Sequence, residues 1–335
     1  MPGPGLPGGS GVDSPMRLVL VAMLVAVGLI AAAWTLLRAD PTPALRVGVM
    51  EWPGFYPLMA GAVDGSLTGI QVVAYADNPS LNAALRRREV DAVVGAACDA
   101  ALLCSQGTDA RIIAVLDTSD GADVILARPG VTRLGETPDQ RISFEGVNSF
   151  SHLFVLDSLE RAGVPEVSVR CQDLAAAAVP QALLEGRLDA GHTWGPLAEA
   201  ARAKGCTVLV RAGDHPGVVT DVLMTRQDVL DRRPVELRRL IQGIFTVVES
   251  YRTREADLIA RAGSFLRKPA AELSPVTGSV RICDQRASLR AMMDHGDPAG
   301  VRLRLHALLQ ALARRGQMPR NLVLEDLLVP DLLNP

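Results

Sequence analysis

One phrase of this chain occurs twice. Ala84-Leu85 is followed after five residues by Asp91-Ala92, and Ala182-Leu183 after five residues by Asp189-Ala190. In each copy a helical stretch ends, the chain turns and a short apolar strand begins. A unit read twice in this way predicts two α/β lobes of similar build. Between the copies lies Asp117 to Gly130, DTSDGADVILARPG. A buried strand, Arg111 to Leu116, runs into a turn of Asp, Ser and Gly, and an apolar run, Val124 to Ala127, follows. Such a piece carries the chain from one lobe to the other and leaves backbone and hydroxyl groups in the gap. Gly213 to Asp221 (GDHPGVVTD), leading into Val222-Leu223-Met224, predicts the return crossing. The expected division is residues 45–122 with 223–335 in lobe 1, and residues 123–222 in lobe 2.

The body is preceded by a leader. Residues 1–15 are rich in Pro and Gly, cannot bury a core, and are expected to be disordered. Residues 16–38 contain twenty uncharged residues, Leu18 to Leu37. As a signal peptide, Leu18 to Ile30 is the apolar region and Ala31-Ala32-Ala33 the cleavage site. As a transmembrane anchor, Leu18 to Leu37 is just long enough to span a bilayer. Both readings stand open, as does a start at Met16, and both place the body in the periplasm or otherwise outside the cytoplasm. Formal net charge is -3, from 34 basic and 37 acidic residues, which gives no general field for nucleic acid. Five scattered cysteines form no metal-ligand spacing, so no metal and no cofactor is expected. Buried free thiols are the simpler reading; a Cys171–Cys206 disulfide in the exported lobe is the alternative.

The candidate ligand residues fall just after predicted strands, where open α/β sheets bind ligands. The first strand, Leu45 to Met50, ends in a loop carrying Trp52, Phe55 and Tyr56. Ile70 to Tyr75 predicts a second strand, and Pro79 to Arg88 a helix capped by Asn78 or Ser80. The strand Asp91 to Gly95 leads to Asp99. Gln140 to Phe144 feeds a helix that ends near Ala162, where Ser149 or Ser151 can cap and the exposed N–H groups favour an anion. His152 sits in the first turn of that helix. A strand Val167 to Arg170, a helix Ala176 to Gly186 and a strand Leu188 to Ala190 lead to His192 and Trp194, the latter placed to cover a cleft ligand. Thr207 to Val210 predicts a further strand. From Arg233 onward apolar residues recur at helical spacing, and nothing there suggests catalysis.

EWPGFYPL, VLDTSDGADVILAR, a strand followed by Glu-Gly-x-x-Ser-x-Ser, GRLDAGHTWGP and HPGVVTDVL occur in that order. The body resembles periplasmic substrate-binding proteins of the nitrate/sulfonate/taurine ABC-transporter family, which share their fold with thiamine-precursor binding proteins. The resemblance runs from about Leu45 to Leu266. It implies an α/β, two-lobed periplasmic-binding-protein (type II, Venus flytrap) fold with two hinge crossings. Carried over by position, it implies ligand contacts from Trp52, Tyr56, Asp99, Ser119, Asp120, Asp123, Ser149, Ser151, Trp194 and Asp221. Thr137-Pro138-Asp139-Gln140 replaces the family's Asp-Leu-Lys-Gly turn, and Gly195 stands where a glutamate is usual, so the cleft walls depart from the family pattern.

The resemblance implies a monomer that captures a small anionic or zwitterionic solute and delivers it to an ABC permease, without catalysis. The capped helix start favours an anionic group, the aromatics suit a flat heterocycle, and Asp120, Asp123 and Asp221 suit an amine. Two alternatives belong to other classes. One is a ligand-sensing partner of a signalling protein. The other is an enzyme on the same fold, such as the pyrimidine-synthesis relatives, whose Cys-rich motif this chain lacks.

Overall fold

The computed structural model describes residues 19–27, 43–147, 149–215, 217–294, 300–314 and 322–334. The chain forms two units, Met1–Ala44 and Leu45–Pro335. In the first, residues 19–27 are an exposed helix, α1. Among the described residues no helix is long and apolar enough to cross a membrane, so the transmembrane reading of Leu18 to Leu37 gains no support. The expected disordered segment 1–15 and the rest of 16–38 lie outside the described residues.

In the second unit the chain alternates strand and helix, as the duplicated phrase predicts. It begins with β1 (Leu45–Val49), α2 (Tyr56–Asp64), β2 (Ile70–Ala74), α3 (Asn78–Arg86), β3 (Ala92–Ala96), α4 (Ala97–Ser105) and β4 (Ala110–Ser119). It continues with β5 (Asp123–Ala127), β6 (Gln140–Phe144), α5 (Phe150–Arg161), β7 (Val169–Asp173), α6 (Val179–Leu184), β8 (Ala190–Trp194), α7 (Gly195–Arg202) and β9 (Thr207–Arg211). The last part holds β10 (Thr220–Arg226), α8 (Gln227–Arg232), α9 (Pro234–Tyr251), α10 (Glu255–Leu266), β11 (Val280–Ile282), α11 (Gln285–Met293), α12 (Val301–Arg314) and α13 (Leu324–Leu327).

Two sheets result, ordered β11-β4-β10-β3-β1-β2 and β7-β6-β8-β5-β9. They repeat one another. In each, three parallel strands (β2-β1-β3 and β7-β6-β8) meet an antiparallel strand that has just crossed from the other sheet. β10 arrives from the five-stranded sheet and β5 from the six-stranded one. Strands buried on both faces read as continuous apolar runs, and β5 shows why. Val124 and Leu126 pack with α6 and α7, while Ile125 and Ala127 pack with Phe154, Val155 and Leu159 of α5. The six-stranded sheet has one large core, which takes in Leu237, Leu240, Ile241 and Ile244 of α9.

The duplicated phrase has a mechanical meaning. Asp91 precedes β3, and its Oδ2 accepts the Arg46 N–H at 2.9 Å while its own N–H donates to the Arg46 carbonyl. Asp189 precedes β8 and does the same with Arg141, at 2.9 Å and 3.0 Å. Each aspartate thus staples its strand to the parallel neighbour. Four residues after each Ala-Leu alanine the helix closes in the left-handed region, with φ of 62° at Arg88 and 69° at Gly186. Asp189 also holds the Arg128 and Arg141 guanidinium groups, which keep its carboxyl well below the ordinary aspartate range.

Several expectations shift on contact with the structure. The cap of α3 is Asp77, which accepts the Ser80 N–H at 2.8 Å, and neither Asn78 nor Ser80 takes that role. The strand expected at Leu188 to Ala190 starts at Ala190 and runs through His192 to Trp194, because Leu188 and Asp189 still belong to the turn. The strand expected at Val167 to Arg170 slides to Val169–Asp173, and the helix expected from Ala176 begins as a 3-10 turn before α6. The stretch after Arg233 is not wholly helical, since β11 pairs with β4. All five cysteines are free, so no Cys171–Cys206 bridge forms.

Loss of the second staple tests the duplication. Asp189→Ala removes charged hydrogen bonds worth ~2 kcal/mol together, and Asp91→Ala acts in the same direction. Urea unfolding of both variants should show lowered midpoints; unchanged midpoints would remove the staples from the account.

Candidate functional site

The crossings bring acidic residues together. Asp117 near the end of β4 and Asp221 at the start of β10 are register partners, and Asp123 opens β5 four residues past Ser119. Like charges directly opposite one another repel, yet Asp117 is wholly buried and Asp221 nearly so. The Trp52 indole N–H donates to Asp117 Oδ1 at 3.1 Å. Asp117 Oδ2 has no hydrogen-bond partner among the described residues. Burial, then the neighbouring Asp117 and Asp123 charges, push Asp221 far up, and burial raises Asp117. Gly54 makes this arrangement possible, because a Cβ there would lie 1.9 Å from Asp117 Oδ2.

The crossing itself is pinned. The Ser279 carbonyl accepts three successive N–H groups, from Asp120, Gly121 and Ala122, at 2.9, 3.0 and 3.1 Å. Ser119 Oγ accepts the Asp123 N–H at 3.1 Å. Asp120 points outward and reaches Arg281 at 3.8 Å.

Behind the floor runs a buried chain of three side chains. Ser151 Oγ meets His192 Nδ1 at 2.8 Å, and His192 Nε2 meets Asp123 Oδ1 at 2.9 Å. Serine, histidine and aspartate in that order invite a nucleophilic reading. The serine is fully enclosed, and its Oγ accepts the Glu145 N–H at 2.8 Å. The edges of Phe150 and Phe154 hold the imidazole on either side. The chain therefore ties α5, β8 and β5 together and positions the floor.

Above the floor lies a cleft of ≈ 750 Å³ between the two sheets' connecting segments. One wall carries Met50, Asp77, Asn78, Asn82, Arg86 and Asp99; the other carries Glu145, Ser149, Phe150, Asp173 and Trp194. A smaller recess of ≈ 30 Å³, sharing Met50, Asn78 and Phe150 with the cleft, is closed by Trp52, Phe55 and Asp221. Trp52 and Trp194 meet edge to face, with centroids 6.1 Å apart. Asp99 is buried and accepts the Asn78 amide at 2.6 Å, and burial raises its carboxyl to about 6.

Of the sequence-predicted residues, Trp52, Asp99, Ser149, Trp194 and Asp221 line the cleft or its recess. Tyr56 is completely buried in the core, Ser119, Asp123 and Ser151 lie behind the floor, and Asp120 faces away. His152 stacks on Phe144. Asp117, Asn78, Asn82, Phe55 and Phe150 were not singled out as ligand residues. A carboxylate closing the apolar run ahead of the crossing could have signalled Asp117; the two asparagines give no local signal. Among the described residues no group of His, Cys, Asp and Glu is arranged to hold a metal ion.

No protein-family profile and no curated protein sequence matches the chain. Solved structures do. The periplasmic aliphatic sulphonate binding protein of Escherichia coli is similar over 85% of this chain and 92% of its own, with TM-score 0.68 and 17% identity. The alkanesulfonate-binding protein of Xanthomonas axonopodis pv. citri, bound to MOPS, is similar over 87% and 100%, with TM-score 0.67 and 16% identity. The ligand binding component of an ABC-type import system from Staphylococcus aureus, with zinc bound, covers 87% and 98%, with TM-score 0.67 and 14% identity. At these identities the likeness is one of fold: the body has the two-lobed periplasmic-binding-protein fold.

The buried acids set the pH response. A carboxyl whose folded pKa is raised stabilises the fold below its unfolded value, and that contribution is lost as pH rises through the folded one. For Asp99 this window runs from about 4 to about 6. The melting temperature of the ligand-free protein should therefore rise as pH falls from 7 to 5, and Asp99→Asn should flatten the trend. A second check is Gly54→Ala, expected to cost about 1–3 kcal/mol by overpacking against Asp117, read as a fall in melting temperature.

Proposed function

We propose that this chain is an extracytoplasmic solute-binding protein that captures one small organic molecule between its lobes and hands it to an ABC permease. The observation that carries the reading is the cleft, ≈ 750 Å³ in volume, lined from both sheets' connections and adjoining a recess that Asp221 of β10 closes. A molecule that touches both walls only when they approach stabilises the closed arrangement in proportion to that difference in contact. The cleft size suits a small ligand. The reading is one of capture: the Ser151–His192–Asp123 chain is buried and does not line the cleft.

Three considerations extend the reading. The permease partner follows from the ABC-type import system named for the Staphylococcus aureus protein. The sulfonates named for the Escherichia coli and Xanthomonas proteins make sulfonates, above all zwitterionic ones, the first class to try. The apolar leader supports a position outside the cytoplasm.

A thermal-shift screen with alkanesulfonates, aminosulfonates, nitrate, amines, pyrimidines and amino acids should give a saturable rise in melting temperature for one class, by mass action on the native state. Trp194→Ala should weaken the same ligand about tenfold, ~1.4 kcal/mol, because the indole lines the cleft opposite Met50 and Asn78. A folded protein that shifts with no compound would count against solute capture.

A further inference from the structure

Helix starts that face a cleft normally serve as anion seats, because their N–H groups lack partners. In this cleft the protein fills those seats itself. Asp77 takes the Ser80 N–H at the start of α3, and Ser149 takes the His152 N–H at the start of α5. Glu145 Oε2 takes the Ala176 N–H at 3.1 Å, ahead of α6, and Asp173 Oδ1 takes the Gly146 N–H at 2.9 Å. The ionisable lining consists of four carboxylates, Asp77, Asp99, Glu145 and Asp173, against one cation, Arg86. An anion entering here meets few free donors and several like charges.

The recess has the opposite preference. Trp52, Phe55 and Phe150 supply ring surfaces, and ring faces attract cations. Asp221 supplies a carboxyl group that is more than nine-tenths buried, pairs with no Lys, Arg or His among the described residues, and can ionise against an entering cation. Asn78 adds an acceptor oxygen that has no hydrogen-bond partner. A buried acceptor without a donor and a buried acid without a cation both cost free energy until something donates to them. The ≈ 30 Å³ volume is on the scale of one or two water-sized groups. A primary ammonium fits that scale; a sulfonate or a quaternary ammonium does not.

We propose that the cleft recognises its solute by a primary ammonium group, seated in the recess beside Asp221 and Asn78 and against the rings of Trp52, Phe55 and Phe150. The assignment rests on the solute-capture reading and deepens it. Plain alkanesulfonates and nitrate are then not ligands, and an aminosulfonate binds through its amine. The chemistry is non-covalent; no bond is made or broken.

Matched probes of one chain length test this on the full chain: propylamine, propanesulfonate and aminopropanesulfonate, with tetramethylammonium and nitrate as further controls. Propylamine and aminopropanesulfonate should raise the melting temperature saturably, and the other three should not. Asp221→Asn should weaken the amine probes by about tenfold or more while leaving the ligand-free protein folded, since the amide has nearly the shape of the carboxyl but cannot ionise beside an ammonium. The wild-type comparison stands by itself if that variant does not fold. A shift with propanesulfonate or nitrate, or equal binding of tetramethylammonium, overturns the ammonium assignment and leaves solute capture intact. Amine affinity untouched in a folded Asp221→Asn protein removes the seat from Asp221. Silence from every probe and from the wider solute panel overturns both.

Discussion

In each sheet of this protein the strand beside the parallel trio is the first one after a crossing between the sheets. β5 and β10 run antiparallel beside β8 and β3, and each enters its sheet directly from a crossing. This placement has two consequences. The five-stranded sheet is built from one unbroken stretch, β5 to β9, while the six-stranded sheet is completed by β10, which the chain reaches only after that stretch. The placement also brings the strand ends that carry Asp117, Asp123 and Asp221 into one place. The buried acids are therefore a product of topology, with Trp52 donating to Asp117 and His192 paired with Asp123.

Function follows from what lies on either side of that floor. Behind it, the Ser151–His192–Asp123 chain and the Ser279 carbonyl with its three donors fix the crossing. In front of it, the two walls present few unsatisfied donors and several acceptors. Hydrogen-bonding capacity of that sign suits a guest that brings its own N–H groups. Burial and mutual proximity hold the floor's acids toward their neutral form, and a cationic guest favours their ionisation.

The fold was legible in the sequence because its signals are local. The Ala-Leu-x5-Asp-Ala phrase marks a helix end, a left-handed turn and a strand start within nine residues, and both copies perform the same stapling. Segment ends were less legible. Asp77 was passed over as a cap for Asn78 and Ser80, since any of the three could serve by type. β11, only three residues long, has no periodicity to read. The site was harder still. Trp52 and Tyr56 share one loop, and nothing in the sequence says that the first reaches the recess while the second is swallowed by the core. Asp117 acquires its meaning from a partner 65 residues away. The acceptor-rich character of the cleft depends on which N–H groups are already taken, a property of the folded chain alone.

The chain has three tryptophans, and two of them, Trp52 and Trp194, meet edge to face beside the recess. Their emission is a direct reporter of what happens between the lobes. The most direct measurement is a titration of tryptophan fluorescence with aminopropanesulfonate, run beside propanesulfonate. The account predicts a saturable change with the amine-bearing compound and none with its deaminated partner. A saturable change with propanesulfonate, matching that of the amine, would contradict it.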